Sequence, residues 1–179
     1  MIVERGLETL EKKRGCIIWN GLLALQRNIM FYFSLIIAVS ITIGAMLRYV
    51  FKTNLYGMEE IISIFAFWLY FVGGAYGAFE DSHIKADVVS SFVTNQKLQS
   101  TLIAFSTGVT AFFCFVGIYL AWGMLSFSFL RGTQTPVWRI PLWVPQGSVF
   151  LGFILMAFYF SIHFKDHFKK AKEIYMGRI

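Results

Sequence analysis

Asp, Glu, Lys, Arg and His are missing from four long stretches of this sequence. Residues 29–47, 61–79, 102–130 and 142–162 contain none, and all sixteen Lys/Arg and all ten Asp/Glu lie between or outside them. Carriers and pumps usually keep a few charges at membrane depth to couple ions or hold substrate, so the bare interiors argue against such work in this chain. Cysteine is almost as scarce. Cys16 and Cys114 form no C-x-x-C pair, which excludes a quinone-linked disulfide enzyme. A four-helix membrane cytochrome needs facing histidines at membrane depth, but the three histidines are His83, in a loop, and His163 and His167 at one end. No glycine-rich phosphate loop and no ligand-spaced His/Cys set is present, so the sequence implies no cofactor or metal.

What is there is length and apolarity. The chain is 57% hydrophobic, with twenty Phe and five Trp among 179 residues. About 20 apolar residues, rising about 1.5 Å each, cross a hydrocarbon core of about 30 Å. Backbone polar groups in lipid must be paired within the segment, so the four runs predict helices. The alternation of a transmembrane barrel is absent. The fold class is therefore an all-α membrane protein. Its four transmembrane helices cover about 29–50, 58–79, 99–130 and 142–162, and the third is longer than a bilayer needs. The first run starts too late, and lacks the short apolar core and small-residue site, for a cleaved signal peptide.

The formal net charge of +6 reads as topology rather than nucleic-acid binding. With four spans, the N-terminal segment, the second loop and the tail share a side and hold twelve of the sixteen Lys/Arg. The other side holds Arg48, Lys52, Arg131 and Arg139. The positive-inside rule then places both termini of a multi-pass membrane protein in the cytoplasm. Residues 1–27 form a cytoplasmic amphipathic segment, expected as an interfacial helix that anchors on lipid or docks a partner. Residues 28–162 form the transmembrane domain. Residues 163–179 form a basic tail near anionic lipid.

The informative residues sit at the span ends. Arg48 and Lys52 close the first span, where snorkelling to the headgroups accounts for such cations. Glu59 and Glu60 open the second, where they suit the helix dipole or pair with a cation, either Arg48 or one on a partner. Gly73 and Gly77 form a G-x-x-x-G that lets helices approach, and Ala104/Gly108, Gly117/Ala121 and Ser148/Gly152 repeat the small-residue spacing. Asp87 precedes Val88, Val89, Phe92 and Val93 at an N-cap position of a short expected interfacial helix. All three prolines fall in Thr135-Pro136-Val137-Trp138-Arg139-Ile140-Pro141-Leu142-Trp143-Val144-Pro145, a rigid approach to the fourth span with two aromatic anchors.

In order, Arg48-Tyr49-Val50-Phe51, Glu59-Glu60, Phe67-Trp68, Gly73-Gly74-Ala75, His83-Ile84-Lys85-Ala86-Asp87, Thr135-Pro136, Ile140-Pro141-Leu142-Trp143 and Pro145-Gln146-Gly147 stand at the ends of four spans. In this arrangement the chain resembles the small membrane subunit, the Q-type or DctQ-like family, of tripartite ATP-independent periplasmic (TRAP) transporters, over residues 28–162. It departs where Gly57 replaces a common Trp, and where Lys85-Ala86 replaces a common Arg-Val. The resemblance implies a non-catalytic scaffold for a large elevator-type membrane subunit. That subunit would take up an organic acid on an ion gradient, sodium included, from a periplasmic substrate-binding protein. Arg48, Glu59, Glu60, Asp87, Gly73 and Gly77 are then candidates for the contact with the large subunit. Arg131, Arg139 and Trp138 are candidates for docking the binding protein. Membrane lipids complete the expected partners. The rival readings are a self-sufficient homo-oligomeric transporter or channel, which needs a polar group at mid-membrane, and a membrane enzyme, which needs clustered His, Asp, Glu or Cys on one face.

Overall fold

The computed structural model describes residues 17–53, 56–80 and 96–176. Their architecture is four helices in sequence: α1 (Ile17–Tyr49), α2 (Met58–Glu80), α3 (Gln96–Arg131) and α4 (Trp143–Tyr175). Each is long and apolar enough to cross a membrane. Hydroxyls inside the helices spend their protons on their own backbone: Thr42 on Ala38, Ser63 on Glu59, Thr107 on Ile103 and Ser148 on Pro145. In lipid that local bond removes the cost of an unpaired donor.

The helices overrun the expected spans. Residues 17–27 continue without a break into α1, and the tail continues α4 to Tyr175. The remainder of the expected interfacial segment, the short helix expected over 88–93, and the N-cap candidate Asp87 lie outside the described residues.

Helix ends follow local chemistry. Gly132, at φ +60, turns the chain out of α3, and the Thr133 N–H reaches back to the Ser128 carbonyl at 3.3 Å. This is the six-to-one bond of a Schellman cap, and glycine meets the left-handed requirement without strain. Pro145 sits in the first turn of α4, where an N–H would have no intrahelical partner.

Among the described residues, α1 packs on α2, α2 on α4 and α4 on α3. The order across the fold is therefore α1–α2–α4–α3, a row rather than a closed square. Ala104, Thr107, Ala111, Cys114, Ile118 and Ala121 recur every three or four residues along α3, and all but Ile118 are buried. That is the heptad seam of near-parallel helix packing. Rings from α4 fill its gaps, with Phe164 against Gly108 and Phe153 against Gly117. Between α2 and α4 the backbones come close at Gly152, where an added Cβ would meet the Phe71 Cβ at 2.6 Å and the Phe71 carbonyl at 3.1 Å. On α2 it is Gly74 that receives Met156 of α4. Gly73 faces Met30 of α1, and Gly77 has nothing within 4 Å.

The densest core lies toward the end that carries the α2 C-terminus. Ala75, Ala78, Phe79, Ala111, Cys114, Ala157, Tyr159 and Phe160 cluster there, with Leu22 and Leu23 of α1 against them. Elsewhere the helices present apolar side chains outward, among them Phe31, Leu35, Ile41 and Met46 of α1 and Phe105, Phe112, Phe115 and Tyr119 of α3. Such faces need lipid or protein over them.

Candidate functional site

The most organised polar structure is the connection between α3 and α4. After the Gly132 turn, residues 133–142 fold back on themselves. The Thr135 N–H donates to the Ile140 carbonyl at 2.9 Å, the Leu142 N–H donates to the Thr133 carbonyl at 3.0 Å, and Gln134 bridges Pro141. The Thr135 hydroxyl accepts the Ile140 N–H. Proline at 136 and 141 fixes φ on either side of the tip. The tip then closes through Arg139, whose φ of 51° places a non-glycine residue in the left-handed region. Such strain persists only where neighbouring contacts over-determine it.

Those contacts come from α2. The Glu60 carboxylate accepts the Val137 N–H at 2.8 Å through Oε1 and the Trp138 N–H at 3.0 Å through Oε2. Charge-assisted bonds of this kind are the stronger class, and two of them fix direction as well as distance. Beside them Gly57, at φ +86, lies under the Trp138 indole, where any side chain would run into the ring and into Val137. Gly57 thus serves both the left-handed turn before α2 and the close approach of the loop. The Trp138 ring remains 57% exposed, so it is a wall as well as a contact.

The candidate residues fall into separate places. Glu60 is engaged within the chain, and its neighbour Glu59 is exposed on the first turn of α2. Arg48 is exposed in the last turn of α1, and no ion pair joins it to either glutamate. Arg131 ends α3 with its guanidinium 5.3 Å from the Phe127 ring centre, a cation–π distance. Arg131, Trp138 and Arg139 therefore share the loop end of the fold, all exposed. Lys52 joins them there, also left-handed at φ 50.

A second polar site sits at the opposite end and was not among the sequence candidates. Gln26 is only 2% exposed on a helix that otherwise buries almost nothing, and Tyr159, 1% exposed, donates its hydroxyl to the Gln26 Oε1 at 3.2 Å. The Gln26 Nε2 is buried without a hydrogen-bond partner. Buried His163 places its Nε2 3.2 Å from the Phe79 carbonyl, one of the last carbonyls of α2. Helix C-termini leave four such acceptors unpaired, and an imidazole N–H is a fitting donor. The available signal in the sequence was a glutamine directly after Leu22-Leu23-Ala24-Leu25 and before Arg27, which periodicity alone assigns to neither face.

Among the described residues no three His, Cys, Asp or Glu side chains come together. The arrangement has the parts of a binding and packing element: a stiffened loop with exposed aromatic and cationic side chains, over helices with outward apolar faces. A comparison with curated proteins gave no match. A comparison with protein families matched residues 37–170, from within α1 to the last turns of α4, to the DctQ component of tripartite ATP-independent periplasmic transporters. The chain belongs to that family and is a small membrane subunit of a TRAP transporter.

Proposed function

We propose that this subunit braces the large membrane subunit of its transporter and carries no substrate or ion site of its own. The observation behind this reading is where polarity lies. The buried polar side chains among the described residues are Gln26, Thr107, Ser128, Ser148 and His163, and none is a carboxylate or a lysine or arginine. Apolar side chains meanwhile point outward along α1 and α3, as a bracing element requires. Transport by the large subunit would run as an elevator on an ion gradient, with an organic acid delivered by a periplasmic binding protein. Both termini would face the cytoplasm, so the clamped loop with Arg131, Trp138 and Arg139 would face the periplasm, where the binding protein docks. Arg48, Glu59, Asp87, Gly73 and Gly77 are proposed contacts of the large subunit. Glu60 acts there through the loop it holds.

Proteoliposomes separate this reading from a self-sufficient transporter. The chain reconstituted alone should give no flux of dicarboxylate, sialic acid or sulfonate under a sodium gradient. Co-reconstitution with the large subunit and binding protein of its transporter should restore uptake. Flux from the chain alone would sink the proposal.

A further inference from the structure

We infer that the last three turns of α4 bind the headgroups of anionic phospholipid through Lys165, Lys169 and Lys172. The inference rests on the reading of α4 as a membrane span, and it concerns the part of α4 that a span does not use.

α4 is 33 residues long and α3 is 36, or about 50 and 54 Å at 1.5 Å per residue. A bilayer with its headgroups is about 40–45 Å thick. Both helices therefore outrun the membrane. With Trp143 in the aromatic belt at the loop end, α4 meets the far headgroup layer along the stretch that carries these lysines.

The side chains of that stretch divide by face. His163 and Ile174 are buried, and the Phe164 ring lies against Gly108 of α3. On the opposite side, Lys165, Lys169 and Lys172 follow one another at four and three residues, all exposed. At 3.6 residues per turn they form a single stripe. Phe168, 59% exposed, and Met176, 58% exposed, lie in the same stripe. Asp166 and Glu173 fall about a quarter turn from Lys165 and stand at three- and four-residue spacing from Lys169, so the stripe is cationic with an acidic edge beside Lys169.

Cations alternating with an apolar ring, at the level where a helix leaves the hydrocarbon, match the boundary between phosphate and acyl chain. Lysine stems can follow the helix surface back to the phosphates, so Lys172 reaches the layer from just beyond it. A solvated protein surface would satisfy the charges but would leave Phe168 and Met176 in water. That favours lipid as the occupant.

The test is lipid retention on the purified full chain. The chain in mild detergent is incubated with equal amounts of phosphatidylglycerol and phosphatidylethanolamine, and bound lipid is counted by native mass spectrometry. Phosphatidylglycerol should be retained preferentially, and high salt should erase the preference. Replacing Lys165, Lys169 and Lys172 together by Gln should lower its retention on the order of a hundredfold, at about fivefold per lysine. Arg at the same positions should preserve it, and phosphatidylethanolamine should be unaffected throughout. Equal retention of the two lipids by the unmodified chain at low salt would overturn the inference without any variant. So would an unchanged lipid profile in the Gln variant, including one that instead loses the large subunit on co-purification, which would mark the stripe as a protein contact. Loss of lipid with the large subunit still bound leaves the bracing reading standing, so the two fail separately.

Discussion

The carboxylate of Glu60 holds the backbone N–H of Trp138, 78 residues away along the chain, at 3.0 Å. Together with the bond to Val137 it ties the first turn of α2 to the tip of the loop between α3 and α4. α2 and α3 each pack chiefly on α4, and this tie links the start of α2 directly to the loop that leaves α3.

Removing the tie should loosen the loop before it disturbs the helices. Glu60→Ala deletes both acceptors, and the Val137 and Trp138 amides should exchange with deuterium on the order of tenfold faster or more. Glu60→Gln keeps one carbonyl acceptor and should fall between. Unchanged exchange in the Ala variant would show that the prolines and the Thr135–Ile140 bonds suffice.

At the α2–α4 seam the backbones themselves set the limit. Gly152→Ala puts a methyl against the Phe71 carbonyl, a backbone atom that cannot swing aside. The expected loss is about 1–3 kcal/mol, read as a lower Tm in detergent. Gly77→Ala is the control, since that position has nothing within 4 Å, and it should leave Tm unchanged.

The Gln26–Tyr159 bond pins α1 to α4 where α1 otherwise leans on α2. A double-mutant cycle with Gln26→Leu and Tyr159→Phe should give a coupling of about 0.6 kcal/mol, within the range up to about 1.7 kcal/mol found between membrane helices. A coupling of zero would reduce Gln26 to a packing residue.

The cations at the loop end form the proposed docking surface for the binding protein. Arg131→Glu with Arg139→Glu should slow uptake most when binding protein is limiting, and more strongly at low salt, because steering between exposed charges is screened. Identical uptake curves at every binding-protein concentration would count against this surface.

Much of this fold is written in composition. Runs free of charge force helices, and the paired glutamates at 59 and 60 mark where α2 begins. The role of Glu60 was less accessible. Its partners are backbone N–H groups, which carry no residue identity, on a segment 77 and 78 residues away. Gly73 and Gly77 show a second limit: the G-x-x-x-G spacing names two glycines on one helix face without saying which face a neighbour takes, and it is Gly74 that meets α4. Gln26 shows a third. A polar residue in an apolar stretch reads as an interruption until the tyrosine that binds it, 133 residues on, is brought alongside.

The row order α1–α2–α4–α3 has a mechanical consequence. In a closed bundle every helix is held from two sides, and damage at one contact is shared. Here the two end helices each have one main flanking neighbour, so each seam can weaken by itself. A defect at Gly152 should loosen the α1–α2 pair from the α4–α3 pair while the Gln26–Tyr159 and Glu60–loop bonds still tie the halves at their two ends, whereas loss of the Gln26 pin should release α1 from α4 and leave it packed on α2.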